Sequence, residues 1–252
     1  MRTRATSLAT LVACTALALA ACGKREEPAA GERGGESTAP AAATAAEHAK
    51  RLAGGWVRTA EPGGTRTGIR CDAEGVFRRF GAASASGLAW SVAGDSLRIT
   101  TNSERYPEPA ETRYRIVTLT DSALVLAGMG PLAGAYTRDD GACAFITGTV
   151  TYLQRIALPP AAVVQVTLQD ISRQDAPATL LAREIIVTGG RQVPIPFTLA
   201  YDADAIDSRH TYVVAARIEA AGKLLFINDT VHPVITRDAP SAVEILVKPV
   251  AR

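Results

Sequence analysis

The run Val163-Val164-Gln165-Val166-Thr167-Leu168-Gln169-Asp170 decides how the second half of the chain folds. Val164, Val166 and Leu168 fall on one face and Gln165, Thr167 and Gln169 on the other, which is the period of a half-buried strand. Upstream, Leu158-Pro159-Pro160-Ala161-Ala162 separates this run from Ile146-Thr147-Gly148-Thr149-Val150-Thr151-Tyr152, a second extended stretch. Downstream, extended runs follow at 180–187, 193–199, 211–219, 224–228 and 242–248, with Ala221-Gly222 as a tight hairpin turn. About seven antiparallel strands in roughly 105 residues predict a β-sandwich of immunoglobulin-like type over 144–252. Helix signals are nearly absent.

The preceding region, 48–143, has the same grain on a shorter scale. Extended runs at 67–71, 76–80, 87–92, 96–101, 113–119, 123–129 and 133–137 are punctuated by Pro62-Gly63-Gly64, Gly94-Asp95 and Thr120-Asp121. Together with the Leu52-Ala53-Gly54-Gly55-Trp56 start they make about eight short strands, an antiparallel meander that closes on itself. The expected fold is therefore all-β, a small antiparallel barrel-like domain followed by an immunoglobulin-like sandwich. The pieces Leu52-x-Gly54-x-Trp56, Trp90-x-x-x-Gly94-Asp95-x-Leu97 and Tyr114-x-Ile116-x-x-Leu119-x-x-Ser122-x-Leu124-x-Leu126 resemble a small lipocalin-like or NlpE-like copper-lipoprotein barrel. Trp56 and Trp90 are open to two readings: core or barrel-end plugs, or a stacking platform for a small apolar ligand. A barrel this small is usually filled by its own side chains. No CxxC pair accompanies the resemblance, so metal binding is not carried over with it.

The amino terminus sets an address. Arg2 and Arg4 precede an uncharged apolar run that ends near Ala21, the pattern of a secretory signal and too short for the about 20 apolar residues of a membrane span. Leu19-Ala20-Ala21-Cys22 resembles the bacterial lipobox, which implies removal of 1–21 and a covalent diacylglycerol and N-acyl lipid on Cys22. Several acyl chains on one residue anchor a protein stably without a spanning helix. Gly23 in place of Asp implies sorting to the outer membrane, with the chain facing the periplasm. Residues 22–47, rich in Gly, Ala, Glu, Pro, Ser and Thr, read as a disordered tether reaching on the order of 28 Å.

Charge excludes one class of partner. Removing Arg2 and Arg4 from the 27 bases leaves as many bases as the 25 acids, so the chain beyond the signal is neutral. Nucleic-acid binding needs a clustered basic excess, and none is present. With Cys14 in the discarded segment and Cys22 lipidated, Cys71 and Cys143 remain in a disulfide-permissive compartment and are expected to pair. A bridge closing about 70 residues would contribute roughly 4 kcal/mol.

A second resemblance covers nearly the whole sandwich. Gly148-x-Val150-x-Tyr152, the run Arg155 to Ala162, Val166-x-Leu168-x-Asp170, Asp175-Ala176-Pro177-Ala178, Gln192-Val193-Pro194-Ile195-Pro196-Phe197, Tyr201-Asp202 and Arg209-His210-x-Tyr212 together resemble the YbaY/YscW lipoprotein family. The match is nearer the YbaY branch, and the extra barrel departs from the family's single domain. What it implies is a periplasm-facing β-sandwich; YscW is a type III secretion pilotin that helps a secretin reach the outer membrane.

No catalytic constellation accompanies these features. A G-x-S-x-G elbow, an H-E-x-x-H pair and a phosphate loop are all missing from the sequence. Asp202, Asp204 and Asp207 lack the spacing and glycine of a calcium loop and read as turn and capping residues, and His48, His210 and His232 are scattered. No metal and no cofactor beyond the lipid is expected, and the chain reads as non-enzymatic. Two functions follow. One is a lipid-anchored binding or assembly accessory, pilotin- or chaperone-like, for a periplasmic or outer-membrane polypeptide. The alternative is a small-ligand carrier or envelope sensor acting through the barrel.

Overall fold

The computed structural model describes residues 39–58, 66–173 and 175–250. The lipobox, Cys22 and the tether up to residue 38 lie outside them. The described residues all belong to one compact unit.

The tether reading needs correction at its end, because α1 (Ala39–Leu52) is a helix. Its alanine-rich sequence has high helix propensity, and Lys50 and Arg51 complement the dipole in its last turn. Leu52, fully buried, and Ala49 pack on the barrel core. Composition hid this element, since one leucine supplies its anchor.

Eight strands follow: β1 (Gly54–Arg58), β2 (Thr67–Cys71), β3 (Phe77–Phe80), β4 (Ser86–Ala93), β5 (Ser96–Asn102), β6 (Ala110–Leu119), β7 (Ala123–Ala127) and β8 (Gly134–Arg138). They form one sheet in the order β3-β2-β1-β8-β7-β6-β5-β4, every neighbouring pair antiparallel. The β3–β4 gap is nearly closed by a bridge between Val76 and Ala89 and by the Trp90 N–H to the Gly75 carbonyl at 2.9 Å. Alternate residues fill the interior, among them Trp56, Ile69, Phe77, Ile99, Tyr114 and Leu124.

The remaining strands are β9 (Cys143–Thr151), β10 (Val163–Asp170), β11 (Thr179–Val187), β12 (Ile195–Asp202), β13 (Tyr212–Ala220), β14 (Lys223–Ile227), β15 (His232–Val234), β16 (Ala242–Leu246) and β17 (Lys248–Pro249). One sheet runs β11-β10-β13-β14-β17, with β15 also on β13, and the other runs β12-β9-β16. The inward residues Val164, Val166 and Leu168 of β10 meet Ile146, Val150, Ile195, Phe197 and Ile245 of the facing sheet in one core. The expectation of antiparallel strands throughout is corrected at one pair, since β16 lies parallel to β9. Gly148, central in β9, is flanked by β12 and β16, and a Cβ there would come within 1.8 Å of the Val243 carbonyl oxygen.

Barrel and sandwich share a packed seam. Val57 and Phe80 meet Ala142, Cys143 and Ala200, with Phe145 alongside. The seam corrects the disulfide expectation: Cys71 and Cys143 are both buried free thiols. Cys71 turns into the barrel core with Ile69, whereas Cys143 turns into the seam outside the barrel wall, so the two sulfurs face different clusters.

Candidate functional site

Both tryptophans are structural in their placement. The Trp56 indole N–H donates to the Leu52 carbonyl at 2.9 Å, and Arg138 donates to the Ala53 and Arg51 carbonyls at 2.6 Å each. Together they satisfy three of the carbonyls at the end of α1. The Arg138 guanidinium also lies 4.2 Å from the Trp56 ring centroid. The Trp90 indole donates to the Asp72 carbonyl at 2.9 Å, and its ring belongs to the same core. Neither ring is presented to a ligand.

The acidic turn is a connector. Asp202 accepts from Arg66 Nε at 3.0 Å and from Nη2 at 2.5 Å, and it caps the 3₁₀ turn Ala203–Ala205 by accepting from the Asp204 N–H at 3.2 Å. Asp204 pairs with Arg66 at 2.7 Å and Asp207 with Arg209 at 2.6 Å. The Arg209 hydrogen bonds hold the Asp207 carboxyl well below the usual carboxylate range. Among the described residues no three His, Cys, Asp or Glu side chains gather to hold a metal ion.

His210 Nδ1 lies 2.7 Å from Asp170 Oδ2, and the Ser172 hydroxyl donates to Asp170 Oδ1 at 2.6 Å. Burial alone would raise the Asp170 carboxyl, but the Ser172 hydroxyl and N–H together with His210 lower it overall. The serine bonds to the acid and not to the histidine, so this trio lacks the nucleophile–base contact of acyl-transfer sites. Its bonds tie β10 to the loop before β13, where the Thr211 N–H donates to the Ser172 hydroxyl at 2.8 Å.

The most site-like feature is a groove on the outer face of the larger sheet. Register builds it in rows: Arg183, Thr167 and Ala215 lie side by side, and Ile185, Gln165 and Arg217 form the next row. Ala215 is short, so the floor drops beside Thr167. A cavity of about 290 Å³ results, lined along β10 by Gln165, Thr167 and Gln169 and closed at one end by Ile227 and Asn228. The barrel segment 103–109, between β5 and β6, crosses the sheet next to it. Its Glu104 carboxylate pairs with both Arg183 and Arg217. Beyond the segment the groove continues as a second cavity of about 360 Å³, lined by Gln165, Ile185 and the turn Ala220–Gly222. Gln165 and Thr167 are buried although they point away from the core.

The barrel also covers the sandwich edge at β11. The Ile185 N–H donates to the Ser86 hydroxyl at 2.9 Å, and Asn102 Nδ2 donates to the Ile185 carbonyl at 2.9 Å. Side chains of β4 and β5 thus occupy positions that an added strand would take. The facing edge strand β12 is capped similarly, its Thr198 N–H donating to Glu184 of β11 at 2.6 Å. The alternation of Gln165, Thr167 and Gln169 is legible in the sequence. Arg183, Arg217 and Glu104 carry no local signal, because pairing across 79 and 113 positions arises only from the packed domains.

Residues 142–247 match the family described as a type III secretion system lipoprotein chaperone, YscW. Over 97 residues the chain is 40% identical to the uncharacterized lipoprotein YbaY of Escherichia coli strain K12. That match takes in 38% of this chain and 51% of the relative, so the chain spans about half the length of this curated relative. Among solved structures, an alternative pilotin from the type II secretion system of Vibrio cholerae is 50% identical, with 44% of this chain and 99% of that one covered and a TM-score of 0.43. A lipocalin-like protein from Bacteroides thetaiotaomicron VPI-5482 is 26% identical, with 35% of this chain and 96% of that one covered and a TM-score of 0.31.

Proposed function

We propose, from the match of residues 142–247 to the YscW-type lipoprotein chaperone family, that the chain is a non-enzymatic accessory that binds an envelope polypeptide. The observation that carries this reading is the groove over Gln165, a polar-lined cavity on a strand face of the domain that matches the family. Lipid on Cys22, with sorting to the periplasmic face of the outer membrane, is the anchoring that goes with it; Leu19-Ala20-Ala21-Cys22 and Gly23 support that address. The type III chaperone family and the type II pilotin point to a secretin or another envelope polypeptide as the partner class. Addition of a strand at β11 is disfavoured, since Ser86 and Asn102 occupy that edge.

Cross-linking in intact envelopes tests the reading. A tagged full chain is expected to capture a reproducible envelope polypeptide, and Cys22→Ser is expected to lose both membrane association and most of that capture. Recovery of no reproducible polypeptide from the intact membrane would overturn it.

A further inference from the structure

We propose that the groove over Gln165 receives an extended, acidic polypeptide segment, and that Glu104 on the barrel occupies the position of that segment's carboxylate until it is displaced. The inference rests on the binding role proposed above and adds the partner's chemistry and an internal control on access.

Gln165 is 7% exposed and lines both cavities, yet its amide finds no hydrogen-bond partner among the described residues. That amide opens on the cavities and offers two donors and an acceptor there. The main chain of an extended peptide supplies an N–H and a C=O at strand spacing, which is the complement this amide lacks. Arg217 stands beside Gln165 and Arg183 in the next row, and both turn to Glu104, while Arg217 Nε also lies 3.0 Å from Glu219 Oε1. A carboxylate at that point therefore meets two guanidinium groups, and the chain supplies one from its own barrel.

The internal occupant is lightly held. Glu104 is 45% exposed, where ion pairs contribute little. Most of the other bonds in the segment are its own, between Ser103 and Tyr106, with one from Asn102 Nδ2 to the Pro107 carbonyl. Tyr106 is exposed. An incoming acidic side chain replaces the contacts of Glu104 like for like, and the segment lifts away.

The test uses the full chain in detergent micelles and a short fluorescein-labelled peptide of alternating Thr and Glu, with an alternating Thr and Lys peptide as control, read by fluorescence anisotropy at low salt. Removing the internal competitor by Glu104→Gln is expected to tighten the acidic peptide about five- to tenfold and to leave the basic one unchanged. Adding Arg183→Gln and Arg217→Gln is expected to abolish the gain. Hydrogen exchange in 103–109 of the unsubstituted chain is expected to rise when the acidic peptide binds. Unchanged affinity on Glu104→Gln, or an equal gain for the basic peptide, would overturn the inference. If envelopes yield a partner but Glu104→Gln changes nothing, this inference falls and the accessory role stands; if Glu104→Gln tightens the peptide but envelopes yield no partner, the groove chemistry stands and the accessory role falls.

Discussion

Glu184 lies on the inward face of β11 with Ala182 and Ile186, where a strand pattern calls for an apolar residue. Burial raises its carboxyl to about 7, outweighing the Thr198 N–H and Arg78, which act in the opposite direction. An acid with a raised value binds its proton more tightly in the folded state. Its stabilisation is therefore complete below the ordinary carboxylate range and is lost as pH rises through about 7. Glu184→Gln keeps the acceptor for Thr198, and it should raise stability at pH 8 by about 1–2 kcal/mol while gaining little at pH 4. Urea unfolding of both chains at the two pH values checks this, and equal stability at pH 8 would refute it. The cysteines belong to the same scale. Burial pushes the Cys143 thiol up to about 12, with Arg70 and Arg78 pulling against it, and it pushes Cys71 higher still. Neither thiol should react with a disulfide reagent in the native protein at pH 8, and both should titrate once denatured without reductant. The sequence shows two cysteines beyond the signal-like segment and Cys22; whether they pair depends on which side of the barrel wall each faces, a matter of tertiary packing.

At the scale of elements, strand positions follow the sequence closely, because alternation and turn residues act locally. β10 spans the same eight residues that its alternation marks. Two elements and one pairing are not legible locally: α1 has a composition shared with flexible segments, β15 is only three residues long, and the parallel pairing of β16 on β9 depends on where the chain returns. The cap on β11 is likewise invisible locally, since Ser86 and Asn102 are ordinary polar residues in β4 and β5. Ser86→Ala with Asn102→Ala should cost about 1–3 kcal/mol, because the Ile185 N–H and C=O are left unpaired in a buried setting. It should also expose an edge that pairs with other molecules. A lower urea midpoint and a concentration-dependent shift in size-exclusion elution are expected; unchanged values in both would show that the cap is not structural.

For the whole molecule, Arg66 is one of the polar ties between the domains, beside the Glu104 pairs and the Ser86 and Asn102 bonds to Ile185. Its guanidinium holds Asp202, whose side chain is 4% exposed, and also reaches Asp139 and Asp204. Burial lowers the Arg66 pKa less than the Asp202 hydrogen bond and the three carboxylates raise it, so the group stays charged. Arg66→Ala leaves the Asp202 charge buried without its partner and should cost about 2–4 kcal/mol. Unfolding should then separate into two transitions in calorimetry, where the unsubstituted chain gives one; a single unshifted transition would refute the tie. The sequence by itself determined that the chain is all-β, where most strands lie, that a barrel precedes a sandwich, and which family the sandwich resembles. Periodicity, turn chemistry and ordered motifs are properties of neighbouring residues, so they survive without coordinates. Tertiary structure alone decided that the two domains form one unit, that Cys71 and Cys143 stay apart, and that Gln165, Arg183, Arg217 and Glu104 meet in one groove. Those facts depend on residues far apart in sequence facing each other, and no local pattern encodes such a meeting.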